Sequence, residues 1–149
     1  MWSTSLRILL ISSDNPLSMY LSSTLFDAIL KQAMESPRKR MHYDLRTQAE
    51  DPQWKDTSQR LLNVLMPETV IPIHRHTDTS ETVIICRGAV REEFYDDQGN
   101  KIAEFLLEAG GDCPGVQVPK GMYHTCVCLI PGSVIFEARD RAYDSETAI

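Results

Sequence analysis

The chain has 149 residues, of which 42% are hydrophobic and 24% are charged, a balance typical of one soluble globular domain. Its net charge of −6 argues against nucleic acid or an anionic membrane as a partner, because both attract basic surfaces. No apolar run approaches the ~20 residues of a membrane helix, and the four cysteines form no C-x-x-C pair. A reduced, cytoplasmic protein is therefore predicted.

The first 60 residues predict an arm and a helix that pack on the rest of the chain. Leu6–Ile11 is predicted to form a short strand or an ordered arm. After a Ser-Ser-Thr N-cap, apolar residues recur at helical spacing and predict a helix from about Ser23 to Glu35, ended by Pro37. Residues 41–60 contain few aliphatic side chains, so we expect an irregular connection there.

A basic cluster, Arg38-Lys39-Arg40, follows the predicted helix in an otherwise acidic chain. Such a run is usually a solvated surface. The alternative is that Arg38 and Arg40 present guanidinium groups to an anionic ligand, because arginine binds carboxylate and phosphate through two parallel hydrogen bonds. Arg60, just before the first barrel strand, is a second candidate for the same role.

From Leu61 onward the chain consists of short predicted strands separated by turn signals. Gly88 and Gly121 belong to these turns and are expected to adopt positive φ angles. Many short strands without intervening helices predict an antiparallel sandwich or barrel over residues 61–140, followed by a tail at 141–149. The predicted strands are 61–66, 70–76, 82–87, 89–95, 101–107, 116–118, 124–130 and 133–138.

Two short motifs contain three of the four histidines of the chain. His74 and His76 begin the pattern H-x-H-x4-E-x6-G, whose carboxylate is Glu81, and His124 ends the pattern P-x-G-x-x-H. Two histidines separated by one residue on an extended chain point to the same face, where they can converge on one ion. A single histidine is more often packed or hydrogen-bonded, and that interpretation is kept for His42.

The two motifs together resemble the paired motifs of the cupin superfamily, whose fold is a double-stranded β-helix, or jelly-roll barrel. The resemblance implies a mainly β protein with a short N-terminal helical segment. Two turn glycines of the general pattern are replaced, by Glu68 and Cys113, at positions that do not ligate. The resemblance also implies that one divalent ion is held inside the barrel by His74, His76, Glu81 and His124.

A narrower resemblance covers residues 22–143 and is to the WbuC family of cupin-fold metalloproteins. That family is named after a gene of bacterial surface-polysaccharide clusters, and its members have no well-established reaction. Its usual Gly-Pro-Tyr near the C-terminus is Arg141-Ala142-Tyr143 here. The segments that carry the resemblance are Ser36-Pro37-Arg38-Lys39-Arg40, Asp51-Pro52, Gln59-Arg60-Leu61-Leu62-Asn63, His74-Arg75-His76, Ser80-Glu81-Thr82, Phe94-Tyr95-Asp96-Asp97-Gln98-Gly99 and Pro114-Gly115-Val116-Gln117.

The predicted ligand set is compatible with several metals. Three imidazoles and one carboxylate suit one divalent transition metal ion per chain, namely zinc, iron, manganese, nickel or copper. A tetrahedral ion with four protein ligands would be a closed structural site. An octahedral ion would keep two positions for water or substrate, and the sequence does not choose between these arrangements.

Other residues near the motifs are candidates for supporting roles. Glu137, or alternatively Glu92 or Glu93, is a candidate for a second base that faces inward. Tyr123 flanks His124 on the opposite strand face, so it is a ligand-binding candidate for which packing is the simpler explanation. Cys126 and Cys128 share the strand face of His124. They are expected to pack as small hydrophobic residues, the alternative being that Cys126 approaches the ion.

The function predicted from these features is an enzyme that acts on a small polar molecule, either carbohydrate-derived or carboxylated, and linked to bacterial surface-polysaccharide metabolism. It would be a metal-dependent isomerase, hydrolase or oxygenase. The alternative is a non-catalytic, metal-dependent protein that binds a small ligand, and a structural interaction protein is the third hypothesis. A homodimer is expected because cupins are commonly dimers. A polar pocket with open metal positions would favour chemistry, whereas an apolar setting would favour a metal that only stabilises the barrel.

Overall fold

The computed structural model describes residues 20–46 and 56–143, and this part of the chain forms one helix followed by eight strands. The predicted arm at Leu6–Ile11 lies outside the described residues. Within them, no helix is long and apolar enough to cross a membrane. The helix is α1 (Ser23–Glu35), and the strands are β1 (Arg40–Asp44), β2 (Gln59–Leu65), β3 (Glu81–Arg87), β4 (Ala89–Tyr95), β5 (Lys101–Glu108), β6 (Gly115–Val118), β7 (Tyr123–Cys128) and β8 (Ser133–Arg139).

The strands form two antiparallel sheets. One has five strands in the order β1-β2-β8-β3-β6, and the other has three in the order β5-β4-β7. Neighbours in the sheets that are distant in sequence, such as β2 with β8 and β4 with β7, produce the jelly-roll arrangement. The predicted fold class, a mainly β jelly-roll barrel with a short N-terminal helix, is confirmed.

The helix α1 covers the outer face of the five-stranded sheet. It begins at the predicted N-cap, where the Ser22 hydroxyl accepts a hydrogen bond from the Leu25 amide at 3.3 Å. The predicted bounds of the helix are confirmed. Its buried face is apolar and packs against residues on the outer face of the sheet. The buried cluster consists of Leu25, Phe26, Ile29, Ala33, Leu62, Val64 and Val134.

The structure corrects the irregular connection predicted for residues 41–60. Residues 40–44 form β1, which pairs with β2 along its whole length. Met41 and Tyr43 point towards α1 and pack against its buried cluster, whereas His42 between them is exposed. This alternation is the ordinary strand pattern, and the few aliphatic residues concealed it. The division of the chain at residue 61 stays a prediction, although β1 and β2 belong to one sheet.

The predicted strand over residues 70–76 is reduced to isolated bridges at His74 and His76. Pro72 lies in this segment, and proline has no backbone N–H for a sheet ladder. The His74 amide donates to the His124 carbonyl at 3.0 Å, and the His124 amide donates to the His74 carbonyl at 2.8 Å. The segment is therefore attached to the edge of β7 at the residues that carry the motif.

The interior of the barrel has two ends that differ in chemistry. We call one the apolar end, since its inward side chains are Leu65, Ile85, Val90, Leu107, Cys128 and Ile135, all buried in one cluster. The opposite end of the same strands we call the polar end. There Gln59 of β2 lies in register with Arg139 of β8, and β3 and β7 contribute Glu81 and His124.

Candidate metal centre

Three histidines converge at the polar end of the barrel. His74, His76 and His124 each offer a ring nitrogen, and these three atoms lie within 4.8 Å of one another. The ring centroids are 4.4 Å apart for His74 and His124 and 5.0 Å apart for His74 and His76. Among the described residues this is the one cluster of three or more histidine, cysteine or acidic side chains close enough to hold an ion.

Glu81, the first residue of β3, lies against the same cluster. Its Oε2 atom is 3.3 Å from the His76 Nε2 atom and 3.9 Å from the His124 Nε2 atom. Burial by itself would raise the pKa of the Glu81 carboxyl, but the hydrogen bond from His76 and the nearby positive charges hold that pKa below its usual value. The side chain is therefore a carboxylate, which is the form that ligates a metal.

Backbone contacts orient two of the imidazoles. The Nδ1 atom of His74 lies 2.8 Å from the Pro72 carbonyl oxygen, and that of His124 lies 3.0 Å from the Met122 carbonyl oxygen. Because a carbonyl only accepts, each Nδ1 carries the proton and each Nε2 keeps its lone pair. Burial lowers the pKa of His124 to about 4 and also lowers the pKa of His74, so both rings are neutral near pH 7.

His76 is engaged differently from the other two histidines. Arg139 lies with its Nη1 atom 2.7 Å from the His76 Nδ1 atom and 3.3 Å from its Nε2 atom. A guanidinium group only donates, so Nδ1 of His76 accepts and its Nε2 carries the proton that faces Glu81. For His76 to ligate an ion, Arg139 has to move away from this ring.

The residues at the polar end fit a transition metal ion. Two neutral imidazoles already present free Nε2 lone pairs, a third ring is in reach, and a carboxylate adjoins them. This combination of nitrogen and oxygen donors is accepted by zinc, iron, manganese and nickel alike. The three histidines could therefore bind a metal, and the donor set leaves its identity open.

A second group of polar side chains lies deeper in the barrel. Glu92 is 2% exposed, its Oε2 atom has no hydrogen-bond partner, and the strand register places it opposite Cys126. Burial, reinforced by the charge of Glu81, raises the pKa of Glu92 to about 8. Burial and the charges of the other two glutamates likewise raise the pKa of Glu137 to about 8. Both carboxyls therefore hold a proton at neutral pH.

The structure brings some predicted candidates to the site and leaves others away from it. Glu137 is in register with Val83, whose side chain belongs to the interior cluster, so it faces inward. Cys126 and Cys128 are both buried in that interior cluster. Glu93 alternates with Glu92 on β4, and its carboxylate binds Arg91 instead. Tyr123 lies outside the barrel, and the guanidinium carbon of Arg75 is 4.6 Å from the centroid of its ring.

The predicted basic residues have other partners. Arg60 forms an ion pair with Asp56 at 2.6 Å and is not brought to the histidines. Arg40 donates from Nη1 to the Thr69 hydroxyl and to the Val70 carbonyl, each at 3.0 Å. Arg38 is exposed. A ligand-binding role for Arg38 and Arg40 stays a prediction.

The sequence did not identify Arg139, the buried cation of the site. It stands two residues after Glu137 on β8, and such a spacing places both side chains on one strand face. Nothing in that spacing alone tells an inward face from an outward one.

Known structures share this fold. CapF of Staphylococcus aureus, described as a capsular polysaccharide assembling protein, matches with a TM-score of 0.60 at 15% identity, over 76% of this chain and 32% of that one. Oxalate decarboxylase OxdC of Bacillus subtilis matches with a TM-score of 0.54 at 17% identity, over 74% of this chain and 27% of that one. KdgF of Halomonas sp. matches with a TM-score of 0.54 at 17% identity, over 74% of this chain and 86% of that one. The chain thus spans about a third or less of CapF and OxdC.

These neighbours are cupin-fold proteins, and at such low identity the likeness establishes the fold alone. No curated protein matches the chain by sequence. Residues 21–107 match the model of the family described as Domain of unknown function (DUF6016), which is more than half of the chain. The chain therefore belongs to the DUF6016 family, and its fold is that of a cupin.

Proposed function

We propose that this chain is a mononuclear metal-binding cupin and an enzyme acting on a small polar molecule. The observation that carries the proposal is the convergence of three imidazoles and one carboxylate at the polar end of the barrel. In this proposal one divalent transition metal ion is held by His74, His76, Glu81 and His124.

The ion, when bound, would supply a Lewis acid that polarises a carbonyl group or lowers the pKa of bound water. The chain itself supplies proton carriers in the interior of the barrel. Glu92 and Glu137 hold protons at neutral pH because burial raises the pKa of each carboxyl to about 8. A group that titrates near the working pH can both give and take a proton, which is what general acid–base catalysis needs.

The surroundings of the four proposed ligands favour a reaction over a purely structural metal. A metal that only stabilises the barrel needs no further ionisable groups, and polar or charged groups are costly to bury. Here Arg139 contacts His76, and Glu92 and Glu137 interact electrostatically with Glu81. The alternative remains a metal-dependent protein that binds a small ligand without turning it over, and turnover of a candidate substrate separates the two.

The proposed substrate class is a carbohydrate-derived or carboxylated molecule, with a link to bacterial surface polysaccharide. The support is the resemblance of the motifs to the WbuC family, together with the fold shared with a capsular polysaccharide assembling protein and an oxalate decarboxylase. Membership of the WbuC family, a homodimer and a cytoplasmic location stay predictions.

Elemental analysis of protein purified without a metal-affinity column tests the proposal. Wild type is expected to contain about one transition metal ion per chain, and His124→Ala or His74→Ala far less, because each removes a neutral nitrogen ligand. His42→Ala is the matched control, since His42 is exposed on β1 and should leave the metal content unchanged. Full metal content in a His76→Ala, His124→Ala double variant would refute the proposed ligands.

A further inference from the structure

Arg139 is a buried charged side chain with most of its hydrogen-bonding capacity unused. The residue is 9% exposed, and within the described residues the hydrogen bonds of its guanidinium group go to His76 alone, from Nη1. A guanidinium group carries five N–H donors. Buried charges are normally paired and fully hydrogen-bonded, because an unpaired one loses its hydration without compensation. The remaining donors of Arg139 have no hydrogen-bond acceptor among the described residues, so an anionic ligand could supply one.

The nearest anion to Arg139 is one that the proposed metal centre would use. The Nε atom lies 3.8 Å from the Glu81 Oε2 atom, beyond hydrogen-bonding distance. If His76 and Glu81 both ligate an ion, as in the proposed function, the guanidinium group loses its acceptor on His76. The charge of Glu81 is then balanced by the ion as well. Metal binding would leave Arg139 without a hydrogen-bond acceptor among the described residues of the polar end.

The position of Arg139 directs those donors into the barrel. It is in register with Gln59 of β2, and it belongs to the same strand face as Glu137 and Ile135, which line the interior. The other arginines considered as anion-binding residues have different partners or lie at the surface. Arg60, for example, forms an ion pair with Asp56. Arg139 is thus the cation in position to receive a ligand that enters the barrel.

We propose that Arg139 binds a carboxylate group of the ligand, beside the ion held by the histidines. This inference rests on the proposed function and narrows its substrate class to a carboxylate. The planar fork of a guanidinium group matches the two oxygens of a carboxylate, and both hydrogen bonds are strengthened by charge. A monoanion balances the single charge of Arg139.

The test compares carboxylate binding by wild type, Arg139→Gln, Arg139→Lys and Arg60→Gln. Dissociation constants of formate, acetate and glycolate, and of inorganic phosphate, are measured by calorimetry on metal-loaded protein, and metal content is measured on the same samples. Arg139→Gln is expected to weaken carboxylate binding about ten- to a hundredfold while the metal content is kept, since a charged hydrogen-bond pair is lost. Arg139→Lys keeps the charge but not the planar fork, so its carboxylate affinity should lie between those of wild type and Arg139→Gln. Arg60→Gln should bind as wild type does.

The outcomes separate this inference from the proposed function. Metal content reports on the ligands of the ion, and the ratio of carboxylate dissociation constants between wild type and Arg139→Gln reports on Arg139. A purely structural role for Arg139 would lower the melting temperature of Arg139→Gln and leave that ratio at one. Three results would overturn the inference: a ratio of one, absence of saturable carboxylate binding by metal-loaded wild type, or tighter binding of phosphate than of every carboxylate.

Discussion

The two ends of the barrel interior differ in the kind of side chain that β3 and β8 turn inward. Along β3 the inward residues change from Glu81 to Val83 and Ile85, and along β8 they change from Ile135 to Glu137 and Arg139. Because these strands are antiparallel, their polar residues meet at one end and their apolar residues at the other. The same sheet therefore carries the apolar core at one end and the candidate metal centre at the other.

The apolar end contributes to the stability of the fold, whereas the polar end reduces it. Burial of apolar area at one end contributes roughly 25 cal/mol per Å². The carboxyls and the guanidinium group at the other end are removed from water, which costs free energy unless they find partners. Glu92 is the clearest case, since its Oε2 atom is buried without a hydrogen-bond partner. Substitutions at the two ends should therefore change stability and metal binding separately.

The largest stability effect is expected at the apolar end, for Ile135→Ala. Ile135 is 0% exposed within the interior cluster, so the substitution should lower the free energy of unfolding by about 2–5 kcal/mol through lost burial and a residual cavity. Metal content should stay at the wild-type value. Chemical denaturation and elemental analysis measure the two quantities. Ile102→Ala, at a site 56% exposed on β5, is the control expected to change stability little.

A smaller effect is expected at a turn beside the apolar end, for Gly88→Ala. Gly88 and Gly121 both have the predicted positive φ angle, at 80°. A Cβ atom at Gly88 would overlap the Ser133 Oγ atom, whereas one at Gly121 would meet nothing within 4 Å. Gly88→Ala should therefore cost about 2–3 kcal/mol, from strain and overlap together, and Gly121→Ala about 1 kcal/mol, from strain alone. Equal melting temperatures for the two variants would contradict this difference.

The parts of the structure that the sequence predicted correctly depend on local patterns. The helix follows from a serine N-cap and from apolar spacing over 13 residues, which need no knowledge of the rest of the fold. The histidine spacing is also local, because one pair shares a strand face. The approach of His124 to within 3.9 Å of Glu81 is not local, and it was expected from the resemblance to cupins rather than from spacing.

Arg139 was missed, and Glu137 was one of three alternatives, because alternation along β8 does not tell which face is which. On β8, Phe136 packs against the helix cluster on the outer face while Glu137 faces the barrel. The usual rule places the apolar residue inward and the polar one outward, and here it would assign both to the wrong face. Both faces of this sheet are covered, so only the strand register identifies Glu137 and Arg139 as interior residues. The same ambiguity concealed β1, whose apolar residues face the helix.

The smallest effect concerns the pH dependence of stability, and it originates at the polar end. The pKa of Glu92 is raised from 4.5 to about 8, so folding takes up a proton there between these values. Stability from this group is fully present below the unfolded pKa and is lost as pH rises through the folded pKa. In metal-free protein, raising the pH from about 6.5 to 8.5 should therefore reduce the free energy of unfolding by about 1–2 kcal/mol through Glu92.

Glu92→Gln removes the ionisable group and should reduce this decline. The decline does not vanish, because Glu137 also titrates near pH 8. Glu104→Gln is the matched control, since Glu104 is exposed on the neighbouring strand β5 and should keep the wild-type pH dependence. Denaturation curves at several pH values measure the slopes. If Glu92→Gln and wild type lose stability equally between pH 6.5 and 8.5, Glu92 is already ionised in the folded protein. Buried acids would then not distinguish the polar end from the apolar end.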